Sequence, residues 1–202
     1  MNATETVPTS EELIGAIDDL FYAAHQSAFY VYWKLVEGPI TSSFEQHGIP
    51  QARTYFNNGI IESSLLLIRK TAEFFKPRGD HDRPDTLYAY RYLPRSTGIW
   101  IIPKDIYTEL HKRVGHMTIR EARYGKQVWQ IVDLTAQAVD QWIAFFSGVV
   151  ESPLFNGNPP KEKLNRFVSS LGGVSRACHL LQSRAKTWTL DEALRQTAPR
   201  QG

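Results

Sequence analysis

Apolar residues recur along the first part of the chain at steps of three and four. Leu13, Ile17, Leu20, Ala24, Ala28, Val31 and Leu35 form this stripe, the pattern of a helix that buries one face. Thr9-Ser10-Glu11-Glu12 precedes it as a capping box, Thr9 with Glu12. Gly38-Pro39 follows as a stop, so the pattern predicts a helix over 10–36. A second helix is predicted over 50–76. It opens at Pro50, a residue suited to a first turn, and carries Ile61, Leu65, Ile68, Ala72 and Phe75 before Lys76-Pro77 ends it. A third, over 103–115, has Ile106, Leu110 and Val114 one turn apart. A fourth, over 127–148, has the stripe Val128, Ile131, Thr135, Ala138, Trp142 and Phe145, widened by Val132, Val139 and Phe146. A face that broad predicts burial on two sides, at a bundle centre or a dimer contact.

Residues 77–103 interrupt the periodicity with Pro77, Gly79, Pro84, Pro94, Gly98 and Pro103. A connection of this length is uncommon in a compact domain and often functional. Within it Tyr88, Tyr90 and Tyr92 alternate, as a short strand or a tight turn of helix would require. After a Pro-, Asn- and Gly-rich linker at 151–160, short helices are expected. One carries Leu164, Phe167, Val168 and Leu171 up to Gly172-Gly173, the next Val174, Ala177, Leu180 and Leu181, and a last one opens at Thr189 with Glu192. The expected architecture is all-α: a bundle over 1–150 with one long irregular loop, and a C-terminal helical extension over 151–202 packed on it.

Composition narrows the class. Hydrophobic residues at 42% of 202 supply a sizeable core, and 22% charged residues exclude a disordered or fibrous chain. Cys178 is the single cysteine, so no internal disulfide forms. Met1 to Ser10 is polar without a leader pattern, and no apolar run reaches membrane-spanning length. The expectation is a soluble cytoplasmic protein with no membrane partner. The formal charge of +2 is unevenly spread: from Lys76 to Lys126 there are 11 Lys/Arg against 6 Asp/Glu, a local +5, which leaves the remainder at −3. A local positive region suits an anionic partner or a solvated loop.

Chemistry concentrates in Leu110-His111-Lys112-Arg113-Val114-Gly115-His116-Met117-Thr118. Arg113 and His116 are three apart, a spacing that puts both on one helical face. A neutral imidazole takes a proton near neutral pH, and a guanidinium fork grips phosphate oxygens. The same residues also suit an exposed basic helix end, favoured by the helix dipole. His111 lies five before His116, a poor metal spacing with no carboxylate to complete a ligand set, so neither a metal nor a cofactor is expected. Arg83, Tyr88, Tyr90, Arg91, Tyr92, Arg95 and Trp100 interleave cations with aromatic rings. Such a run holds single-stranded nucleic acid or pins a long loop to the bundle, and both readings stay open. No glycine-rich phosphate loop or serine nucleophile elbow is present.

Tyr55-Phe56-Asn57-Asn58-Gly59-Ile60-Ile61-Glu62-Ser63-Ser64-Leu65-Leu66-Leu67-Ile68-Arg69-Lys70, ending in Glu73-Phe74-Phe75, resembles the second helix of HEPN-like proteins. The abortive-infection, AbiU-like branch is the nearest. The histidine-containing helix end at 110–118, then Arg120 and Trp129 leading into a long helix, follow the same order, and the resemblance spans about residues 10–148. It implies a HEPN-like bundle of four to five helices that forms a homodimer. In active members an Arg and a His four to six residues apart cut RNA without metal, the histidine activating the ribose 2′-hydroxyl and the arginine steadying the phosphate. His116 matches the family histidine, but His111 and Leu110 stand where the arginine belongs, and Arg113 is the nearby cation. The catalytic candidates are therefore His116, Arg113 and His111. Arg69, Arg91, Arg95, Arg120, Tyr90 and Tyr92 are the nucleic-acid-binding candidates. The implied function is a metal-independent ribonuclease of microbial defence or toxin type. The alternative is a non-catalytic HEPN-like module that binds nucleotide, nucleic acid or protein.

Overall fold

The computed structural model describes residues 9–79, 83, 86–93, 102–113, 130–152 and 161–188, without the side chains of 41, 45, 50, 53, 54, 109, 111–113 and 184–188. Among the described residues every regular element is a helix. They are α1 (Ser10–Gly15), α2 (Ile17–Ser27), α3 (Phe29–Gln46), α4 (Pro50–Phe75), α5 (Ala89–Tyr92), α6 (Lys104–Arg113), α7 (Ile131–Glu151) and α8 (Lys161–Trp188).

The capping box opens α1 as expected. The Glu12 amide donates to Thr9 Oγ1 at 3.2 Å, and the Thr9 amide donates to the Glu12 carboxylate at 2.7 Å. The predicted helix over 10–36 is instead three segments, interrupted at Ala16 and Ala28. At the second break Ser27 Oγ donates to the Ala24 carbonyl at 2.6 Å, and the Ala28 amide donates to the His25 carbonyl three residues back. Back-bonding by serine tightens and bends a helix in this way. Gly38-Pro39 does not stop the chain: α3 runs through Pro39 to Gln46. Leu35 and Val36, one turn earlier, are exposed, so water adjoins the hydrogen bond that proline removes. Lys76 does end α4, with an extended ψ of 149° that the following Pro77 enforces.

The C-terminal part corrects a second expectation. In place of the first two short helices, α8 is a single 28-residue helix continuous through Gly172-Gly173, and the one expected to open at Thr189 lies outside the described residues. Its buried row Leu164, Phe167, Leu171, Val174 and Cys178 keeps steps of three and four across the glycines. Packing of that row outweighs the roughly 1 kcal/mol each glycine costs. These residues lie in the same hydrophobic cluster as those of α2, α4 and α7.

Side-chain pairs give the directions. Only residues 47–49 separate α3 from α4, and Trp33 Nε1, well back along α3, donates to Asn57 at 3.0 Å, so the two helices fold back on each other as an antiparallel pair. Asp133 pairs with Gln182, and Asp140 with Ser175, so α7 and α8 are antiparallel. Asp18 pairs with Lys163, Phe21 with Phe167 and His25 with Ser170, so α2 and α8 run parallel. The bundle is therefore up (α1–α3), down (α4), down (α7), up (α8). Two successive long helices in the same direction need a long crossover, and residues 76–130 supply it. α7 sits at the bundle centre, against α2, α3, α4 and α8. Trp142 stacks on Phe74 (centroids 4.8 Å apart) and lies beside Phe75, Phe145 and Phe146.

Candidate nucleic-acid interface

The C-terminal end of α4 gathers the side chains of interest. Arg69 and Lys76 are seven residues apart, two turns, so they share a face about 10 Å apart along the axis. Arg69 Nε pairs with Glu73 at 3.1 Å. Tyr107 lies on α6, which packs on α4. Burial pushes its phenol up and the charge of Glu73 adds to that, while Arg69 and Lys76 pull the other way. All three charges thus lie within electrostatic reach of one hydroxyl.

Lys76 also reaches the crossover. Its Nζ stands 4.8 Å from the centre of the Tyr88 ring. The Arg91 guanidinium stands 5.6 Å from the same ring, and Arg91 Nη2 donates to the Arg83 carbonyl at 3.3 Å. Tyr88 is buried, its hydroxyl accepts from the Arg83 amide at 3.2 Å, and Tyr90 stacks on it at 5.3 Å with an interplanar angle of 10°. Cations over ring faces are held by the ring quadrupole. The result is a shelf of Lys76, Arg91 and Tyr90 about the Tyr88 ring, drawn from α4 and the crossover, with Arg69 two turns back along α4 beside Glu73. It presents positive charge and aromatic surface together, the combination that holds phosphates and stacks bases.

Of the sequence candidates, Arg91 and Tyr90 meet here around Tyr88, and Arg69 lies two turns back along α4 beside Glu73. Tyr92 does not. It is 0% exposed, 5.5 Å edge-on to Phe145 and 6.3 Å from Phe74, and burial raises its phenol, with Asp19 adding to the shift. It anchors the crossover in the core, so its expected contact with nucleic acid is corrected. The reason is local: Ala89–Tyr92 is a helical turn rather than a strand, so Tyr92 turns into the core while Tyr88 and Tyr90 stack on each other. His111 and Arg113 end α6, with position 111 one turn beyond Tyr107; their side chains lie outside the described residues. His116, Arg95 and Arg120 lie outside the described residues altogether.

Lys76 was missed as a site residue. The helix-period step from Arg69 to Lys76 was a usable signal for it. Among the described residues no group of three or more His, Cys, Asp or Glu is arranged to hold a metal ion, and no helix is long and apolar enough to cross a membrane. Comparison with protein-family models, with curated proteins and with solved structures finds no match to this chain.

Proposed function

We propose that this protein is a HEPN-like helical protein that binds RNA or a nucleotide on the shelf at the end of α4. The observation that carries the reading is the convergence of Lys76 and Arg91 on the Tyr88 ring, with Arg69 on the same face of α4. A phosphate docks between the two cations and a base lies against Tyr90. In this reading the protein works in the cytoplasm as a homodimer, in microbial defence or as a toxin.

The test is fluorescence anisotropy of a labelled single-stranded RNA, in EDTA, across a salt series. Lys76→Ala with Arg91→Ala should weaken binding at least tenfold. Loss of two phosphate contacts should lower the slope of log affinity against log salt by about 1.4, at ~0.7 per contact for single strands. An unchanged affinity and slope would remove the shelf as the RNA site.

A second reading, metal-independent cleavage, is favoured by the placement of α6. Its last turn, with His111 and Arg113, continues from the helix that packs on this shelf. The chain then enters the segment that holds His116. There the imidazole takes the proton of the 2′-hydroxyl while Arg113 steadies the phosphate. A metal-free cleavage assay of the wild type against His116→Ala decides it: loss of cutting in the variant supports catalysis, and equal or absent cutting in both leaves a binding module.

A further inference from the structure

α2 and α8 meet as a ladder whose last rung is a chain of hydrogen bonds across three helices. Lys163 pairs with Asp18 at 2.7 Å, and Phe21 lies flat on Phe167 at 3.8 Å and 6°. Above them His25 Nε2 is 3.2 Å from Ser170 Oγ, and His25 Nδ1 is 2.5 Å from the Tyr32 hydroxyl on α3. A clamp between helices would need only these bonds, and three further features go beyond one.

The imidazole is half-buried, edge-on to Phe21 at 4.5 Å. Burial holds it below the ordinary histidine value, so at neutral pH it is uncharged and able to accept a proton. The Tyr32 phenol is pushed up by its own burial, with Cys178 adding to the shift, and stays protonated. In the tautomer with its proton on Nδ1, His25 donates to the Tyr32 oxygen and leaves Nε2 to accept from Ser170, the form a general base requires; the proposal uses this tautomer. Asp18 and Lys163, paired with each other, sit two turns away.

Ser170 is exposed, so its hydroxyl is open to solvent. One turn beyond it, α8 carries the Gly172-Gly173 pair, and Arg176 folds back over this bare strip. Its Nη1 and Nη2 stand 3.8 Å from the places where Cβ atoms of Gly172 and Gly173 would be. Gly173 and Ser170, three apart, are neighbours on the helix surface. The guanidinium therefore lies on the Gly172 and Gly173 side of α8.

The geometry points to Ser170 as a nucleophile toward small, activated carboxylic esters, with His25 as its base and Tyr32 as a positioning residue that holds the imidazole. The Oγ–carbon bond forms at the acyl carbon as the Oγ proton passes to His25 Nε2. The ester C–O bond then breaks, and the same proton leaves with the alkoxide. Water, deprotonated at Nε2, attacks the acyl-serine and releases the carboxylic acid, restoring Ser170. This activity is independent of the RNA reading and uses none of its residues.

The experiment is labelling of the full-length protein with a fluorophosphonate, which loses fluoride to a nucleophilic serine, alongside hydrolysis of p-nitrophenyl acetate. Intact mass and peptide mapping should find one adduct, on Ser170. Ester turnover should fall at least tenfold in Ser170→Ala and in His25→Gln. Tyr32→Phe should move the pH midpoint of the labelling rate, a readout that a purely packing role for the ring would leave in place. No adduct on Ser170 in the folded wild type overturns the proposal without recourse to any variant. So does labelling that is unchanged in His25→Gln.

Discussion

Replacing Gly172 and Gly173 together by alanine should stabilise the protein, although the pair looks in sequence like a helix stop. Both lie inside α8, and the one glycine with a positive φ among the described residues is Gly48, at 70°. An added Cβ at either position meets only the tip of Arg176, at 3.8 Å, which is ordinary contact. The gain is then the helix propensity difference, about 1 kcal/mol per site and about 2 for the pair. For a chain of this size that corresponds to a rise in Tm of roughly 4–8 °C. Gly148 in α7 is the control. There a Cβ stands 2.8 Å from Leu93 Cδ1, in the crossover segment that Tyr92 anchors. Overpacking costs typically about 1–3 kcal/mol, which offsets or exceeds the same helical gain. Urea unfolding of both variants reads the difference as a shift in midpoint at constant m-value. A lower midpoint for the pair would mean that the strip under Arg176 is packed rather than open. An equal rise at Gly148 would mean that Leu93 is not held against α7.

Thr135 is fully buried and its Oγ1 has no hydrogen-bond partner among the described residues. Thr135→Val keeps the shape and should raise stability by about 1 kcal/mol; destabilisation of that size in urea would show that the hydroxyl is satisfied. Thr9→Ala removes the capping box of α1 and should cost about 1 kcal/mol, seen as faster amide exchange at Glu12, with unchanged exchange as the contrary result. His25 supplies a pH dependence. Its folded value lies below the ordinary 6.5, so just below pH 6.5 the unfolded chain binds more protons than the folded one. Stability should therefore fall as pH drops through 6.5 and be complete above it. Tm measured against pH should show this step in the wild type and lose it in His25→Gln; a step that persists in the variant would assign it to another group.

The parts of this fold legible in the sequence are those set by local periodicity. The stripe from Ile61 to Phe75 and the Lys76-Pro77 stop match α4 (Pro50–Phe75), and the broad stripe around Trp142 matches α7 (Ile131–Glu151) at the bundle centre. The Thr9–Glu12 cap needed no distant partner and could be read directly. Burial of one face demands a helical period, and a period is visible without knowing what covers it.

The breaks were not legible. Pro39 and Gly172-Gly173 carry the local marks of helix ends, yet α3 and α8 pass through both: in α8 a buried row on either side outweighs about 1 kcal/mol per glycine, and in α3 the turn before Pro39 is exposed at Leu35 and Val36, so the freed carbonyl adjoins water. Ala28, with a good helical residue type, marks a bend set by Ser27. Sites depend still more on the tertiary structure. Arg69 and Arg91 could be named as cations, but that Lys76 joins Arg91 at the Tyr88 ring, and that Tyr92 turns into the core, follows from how α4 and the crossover pack. His25 and Ser170 are 145 residues apart. Only the parallel register of α2 and α8 puts an imidazole beside a hydroxyl, because side-chain direction between elements is decided by packing and not by spacing along the chain.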